Sequence, residues 1–337
     1  MNMKILDDED FIRNVENLID PKEISHLYFF QSFKKLLPTS LFKKLLVRTS
    51  RKTPYMGFVI EPYCLFLFFK LKNIEKAKSL LPERYELKKT RIFADEEPEH
   101  YFGMGVFNTR ASTFWGSRLE CYLVAEDKKT GLISWIFIDI LSNTIIATPS
   151  VGVADRNCKN AIYTTSSKGD IILDFKEDTT DRQIILKGNI TNGKMRNLDQ
   201  PLWVLGNTSI GHSKKYSDSK KDDTLAVIFD PAEVEKALDI PLEDVHLKFN
   251  NLFPDLAEPE LIKVLCFPFA QHYIADSPGC RTYIHNTNDM IENYNKIADM
   301  NEMKTFSTRG LKRMLLLGIS LFVITFISLI ILLIINL

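Results

Sequence analysis

The sequence predicts an α+β protein: a largely antiparallel β-barrel or sheet with N-terminal and peripheral helices, plus one C-terminal transmembrane helix. Three observations support this. Between Tyr55 and Tyr273, short aromatic and β-branched runs follow one another, with turn residues between them and few helical patterns. Before Pro54, apolar residues recur instead at three- and four-residue steps, the period of helices packed by one face. From Met314 to Leu337 no residue is charged.

The chain has 337 residues, 45% of them hydrophobic and 26% charged, which excludes a disordered or polytopic membrane protein. Lysine plus arginine and aspartate plus glutamate both number 43, so no whole-protein field favours nucleic acid. The five cysteines are scattered and odd in number, without a CxxC pair, which suits a reducing compartment.

Four segments are expected: N-terminal basic amphipathic helices over 1–53, a β-rich domain over 54–285, a polar helix or linker over 286–313 and a transmembrane tail over 314–337. In the first, Phe11, Val15 and Leu18, then Leu27, Phe30, Phe33 and Leu37, mark helices. Between Lys34 and Lys52 stand seven basic residues and no acidic one. Lys34, Lys35, Lys43, Lys44 and Arg48 are therefore expected to meet anionic lipid. Met56–Leu71 reads as strand, and Asn73–Leu81 as a short helix ended by Pro82. Strands are expected over Glu86–Phe93, Tyr101–Asn108, Arg118–Ala125, Leu132–Asp139, Ile171–Phe175, Gln183–Ile190 and Leu202–Ile210, with a hairpin turn at Glu126–Gly131. His212–Asp223 reads as a polar loop, Pro231–Leu238 as a short helix and Leu261–Tyr273 as a last strand.

The tail is the sharpest feature. As a helix, 24 residues rise roughly 36 Å, enough to cross a ~30 Å hydrocarbon core. Lys304, Arg309, Lys312 and Arg313 precede it, and positive charge stays cytoplasmic. The opening MNMKILDDEDF has no signal-peptide core. A single-pass, tail-anchored protein with its N-terminal domain facing the cytoplasm is expected.

Three phrases in order, AKSLLPERYEL (77–87), FWGSRLECYLVA (114–125) and GLISWIFID (131–139), are similar to those of the acetoacetate decarboxylase-like superfamily. The resemblance spans about residues 55–275 and implies a β-barrel that acts on a small keto acid without a cofactor. It places Glu120 on the family's active-site glutamate and Lys159 on its Schiff-base lysine. Arg118, Trp115, Trp135 and Arg156 are expected around the ligand. The family's Pro-Lys-Lys is absent, Asn160 stands for the second lysine, and Gly103 replaces a second acidic residue. Without a second cation, a lysine beside Glu120 stays protonated and makes a fixed anchor instead of a nucleophile.

The remaining motifs are silent. The six histidines lack metal-site spacing, and neither a GxGxxG nor a Walker loop occurs, so no metal or cofactor is expected. The expected function is a membrane-anchored domain that binds a small anionic or carbonyl-containing ligand without efficient decarboxylation. The alternatives are a divergent enzyme using Lys159 and Glu120, or a non-catalytic membrane scaffold.

Overall fold

The computed structural model describes residues 8–32, 55–148, 152–154, 157–217, 225–276, 286–299, 305 and 307–336. Helices α1 (Asp8–Asn17) and α2 (Pro21–Ser32) lead into strands β1 (Tyr55–Ile60) and β2 (Cys64–Leu71). Helix α3 (Ile74–Leu80) follows, then β3 (Tyr85–Leu87), β4 (Tyr101–Ala111), β5 (Trp115–Asp127), β6 (Ile133–Ser142), β7 (Ile146–Thr148), β8 (Gly152–Ala154) and β9 (Asn160–Thr165). The rest are β10 (Asp170–Lys176), β11 (Gln183–Asn189), β12 (Lys194–Asn197), β13 (Ser209–His212), β14 (Leu225–Phe229), β15 (Lys236–Ile240), β16 (Val245–Asn250), β17 (Ala257–Phe267) and β18 (Gln271–Asp276). Helices α4 (Thr287–Ala298) and α5 (Arg309–Ile335) close the chain. Lys34, Lys35, Lys43, Lys44 and Arg48 lie outside the described residues, as does Arg156.

The main sheet has twelve strands in the order β12-β15-β17-β2-β4-β1-β18-β14-β13-β6-β5-β3, and β4 also pairs with β5. Its pairings are antiparallel except β13 with β6. A second sheet, β16-β11-β10-β9, packs over part of the first. Strand β2 explains its own apolar run. Leu65, Leu67 and Phe69 enter the core shared with Leu173, Phe175 and Ile184 of the second sheet, while Phe66 and Phe68 pack among Trp135, Trp203 and Phe267 on the opposite face. A strand covered on both faces has no polar side to show.

Helix α1 lies on β1, where a Cβ at Gly57 would stand 2.7 Å from the Val15 carbonyl oxygen. Only a glycine admits so close an approach. Helix α4, expected as a helix or linker, buries Met290, Tyr294 and Ile297 against α1, with the Phe11 and Tyr294 ring centroids 4.2 Å apart.

Several local expectations fail where tertiary packing overrides propensity. Leu202–Ile210 is not one strand: Pro201–Leu205 forms a π-helical turn that buries Trp203, whose indole donates to the Ile92 carbonyl at 2.9 Å, and Gly206–Thr208 continues it. Pro231–Val234 is a single 3₁₀ turn capped by Asp230, and the residues after it enter β15. Glu86–Phe93 contributes only the end of β3. Leu261–Tyr273 divides into β17 and β18 around Pro268. Strands β7, β8, β9, β12, β14 and β16 have no counterpart among the expected elements.

Helix α5 is the one helix among the described residues long and apolar enough to span a membrane, with a mean hydropathy of 3.0 over its most apolar stretch. Of its residues only Leu311 is buried.

Candidate ligand-binding site

Alternation along β5 builds the site. Leu119, Cys121 and Leu123 point into the core between the sheets, so Arg118, Glu120 and Tyr122 point the other way. There they line a cavity of about 190 Å³ whose walls are mainly apolar and rich in aromatic rings, including Phe66, Phe107, Trp135, Trp203, Phe267 and Tyr273. Among its described lining residues, Arg118 is the only cation and Glu120 the only carboxylate.

The three β5 side chains form one unit. Arg118 Nη2 lies 2.8 Å from Glu120 Oε1, and the Tyr122 hydroxyl donates to Glu120 Oε2. Burial, reinforced by the Glu120 charge, holds the Tyr122 phenol well above its ordinary pKa, so it remains a donor. The Arg118 guanidinium also sits 4.6 Å from the centre of the Phe114 ring, a cation–π distance. Two buried donors are left over. Neither Arg118 Nε nor Trp135 Nε1 has a hydrogen-bond partner among the described residues.

Glycines let aromatic rings close the floor. Gly105 is paired with Glu120 and Gly103 with Tyr122. A Cβ at Gly105 would stand 3.2 Å from the Phe66 ring, and one at Gly103 would stand 3.3 Å from Phe68. An acidic side chain at Gly103 would have to displace that ring.

The expected site residues separate into two groups. Arg118, Glu120 and Trp135 meet in the cavity. Lys159 does not: it is exposed, outside the cavity lining, with its backbone N–H bonded to Asp178 Oδ1 at 2.8 Å. The expected pairing of Lys159 with Glu120 in one cavity is thereby overturned, for a local reason. The Asn157 side chain bridges to the end of β6, accepting from Ser142 N at 2.8 Å and donating to Ile140 O at 2.6 Å. That clamp turns Cys158 inward and leaves the next side chain outside. Trp115 is 51% exposed at the outer end of β5 and also lies outside the cavity lining. It follows a tight β4–β5 turn and precedes Gly116 at φ +149°, where a Cβ would strike the Asn143 side chain.

Tyr122, Phe114 and Trp203 were not among the expected site residues. Tyr122 was legible, since it sits two residues past Glu120 on the same face of a strand. Trp203 carried no such signal, because its segment reads as strand.

No protein-family model matches the chain, and no curated protein matches it. Among solved structures, the crystal structure of acetoacetate decarboxylase from Legionella pneumophila is similar at 12% sequence identity and a TM-score of 0.40, covering 65% of this chain and 84% of that one.

Proposed function

We propose that this protein is a membrane-anchored binding module for a small apolar molecule bearing a carbonyl group, held in the cavity beside Glu120 and not decarboxylated. The observation that carries the reading is the Arg118–Glu120–Tyr122 unit in the wall of an aromatic cavity, a few polar groups converging among apolar ones. A guanidinium carries five N–H donors, more than one carboxylate takes up, so a ligand oxygen in the cavity finds a donor at Arg118. The aromatic walls suit an apolar body. Glu120 already neutralises Arg118, so a neutral carbonyl brings no surplus charge into low dielectric. A carboxylate would bring one, so of the two expected ligand chemistries the carbonyl is preferred.

Strand pairings support an enclosing barrel: the run β4-β1-β18-β14-β13-β6-β5 returns to β4 through the β4–β5 ladder. Imine chemistry needs an amine at the carbonyl, and the described cavity lining includes no lysine. The basic residues before the apolar helix support a cytoplasmic domain.

The test uses the full chain in detergent micelles and follows tryptophan emission during titration with benzophenone, a compact apolar ketone. Saturable quenching that Arg118→Met abolishes is expected, with no adduct after borohydride treatment in the presence of keto acids. Absence of quenching would overturn the binding reading, and a borohydride-trapped lysine would establish an enzyme in its place.

A further inference from the structure

The cavity and the anchor share residues. Phe114 and Phe58 line the cavity, and both also belong to the apolar cluster that receives the start of α5. In that cluster Leu311 is buried among Leu27, Phe30, Phe114 and Ile145, and Leu315 packs against its edge. From there the aromatic contacts run inward. The Phe58 ring centroid is 6.0 Å from that of Phe114, 6.1 Å from Phe107 and 5.8 Å from Tyr273, the last two being cavity walls.

The basic start of α5 fixes where this cluster sits. From Leu315 to Ile335 the helix rises about 30 Å, enough to cross a ~30 Å hydrocarbon core, and Lys312 and Arg313 hold the residues just before it at the headgroups. Leu315 must then lie at the edge of the hydrocarbon while still touching the domain. The domain surface beside it is dressed accordingly. Trp115 and Phe29, 51% and 52% exposed, adjoin Phe114 and Phe30 in the chain, and amphipathic or aromatic side chains of this kind favour the membrane interface. The Tyr28 hydroxyl, donating to the Trp115 carbonyl at 3.3 Å, ties the two segments together. Arg309, Lys312 and Arg313, in the first turns of α5, stand at headgroup level.

We infer that the cavity is loaded sideways from the bilayer, past Phe114 and Phe58, and that its ligand is a membrane-dissolved amphiphile with a carbonyl head and an apolar chain. This rests on the binding reading above and adds the route and the ligand's source. The carbonyl lies at the Arg118–Glu120–Tyr122 unit, while the chain trails through the aromatic neck toward lipid. A cavity of about 190 Å³ holds the head and first carbons only. A longer chain therefore needs an apolar medium outside the mouth, which the bilayer supplies.

The test uses the full chain in phosphatidylcholine vesicles and two photo-crosslinking ketones: dodecylbenzophenone, which partitions into lipid, and a benzophenone sulfonate, which stays in water. After irradiation, the labelled peptides are mapped. Dodecylbenzophenone is expected to label cavity residues of β1 and β5, with labelling that follows its mole fraction in lipid and is lost in Arg118→Met. Bromolipids substituted near the headgroup are expected to quench part of the tryptophan emission, and Trp115→Phe to remove that part. Cavity labelling by the sulfonate alone would overturn the bilayer route and leave the binding reading standing. Labelling of α5 without the cavity would also overturn the route, as would bromolipid quenching unaffected by Trp115→Phe. Labelling by neither ketone would overturn the route and the binding reading together.

Discussion

Arg118, Glu120 and Tyr122 occupy every second position of β5, and their value lies in being satisfied together. The Arg118 and Glu120 side chains are only 10% and 13% exposed, so removing one partner leaves the other's charge buried with little water. Arg118→Met is expected to lower stability by about 3 kcal/mol, and the double variant Arg118→Met/Glu120→Leu to lose less than the two single variants summed. Thermal unfolding of the four proteins measures that coupling. A second carboxylate, the buried Asp139 on β6, is likewise held by cations and a tyrosine hydroxyl. Burial alone would push its pKa up, but Arg182 and Lys215, together with the Tyr216 hydroxyl, hold it below the usual carboxylate range. A carboxyl whose pKa is depressed by folding contributes stability above its unfolded pKa of about 3.9, and that contribution is lost as pH falls through the folded value. Asp139→Asn is therefore expected to be less stable at neutral pH and to show a shallower acid limb below about pH 4 in urea unfolding.

At the scale of elements, α2 supplies the cap that α5 lacks. Thr308, at the N-cap, makes no side-chain cap of its own. Glu23 of α2 accepts from both the backbone N–H and the hydroxyl of Thr308, and lies 3.6 Å from Lys312 Nζ. A carboxylate at a helix N-terminus also complements the macrodipole. The cap thus joins the candidate membrane helix to the sheet domain through α2. Glu23→Ala is expected to cost about 1.5 kcal/mol of docking, seen as roughly tenfold faster amide exchange over Leu311–Leu315. The far side of the sheet is tied down in a comparable way. Glu233 accepts from the backbone N–H of His272 at 2.7 Å and bonds its ring at 2.8 Å, while Glu16 of α1 pairs with Arg110. His272 is thus a packed histidine in a charge network under α1.

For the whole molecule, the basic flank of α5 and the basic run over 34–52 are proposed to set its relation to a membrane. An N-terminal tag is expected to be cut by protease added on the cytoplasmic side of sealed vesicles. Its protection would reverse the proposed orientation. If Lys34, Lys35, Lys43, Lys44 and Arg48 contact anionic lipid, each contributes about 1 kcal/mol near the surface. A water-soluble amine reagent is then expected to modify these lysines more slowly in phosphatidylserine vesicles than in phosphatidylcholine, with the difference erased at high salt. Equal rates in both vesicles would return the segment to ordinary surface.

What the sequence determined by itself is local and periodic. Twenty-four residues without a charge specify a helix fit for lipid, because within a single segment only a helix satisfies its own backbone polar groups there. Period-two alternation placed Arg118 and Glu120 on one face, and the aromatic and branched run over 56–71 announced strand, which the structure divides into β1 and β2. The tertiary structure decided what depends on distant partners. Lys159 faces solvent because an Asn157 clamp to β6 sets the phase of the strand after it. Trp203 reaches the cavity because Ile92, 111 residues away, accepts its indole proton and holds a π-helical turn that propensity does not specify. The contact of the cavity with the candidate membrane helix arises only when α2, the β4–β5 turn and α5 meet in one apolar cluster. Alternation and hydropathy read a residue against its neighbours in the chain, whereas each of these three outcomes is set by contacts between segments far apart in it.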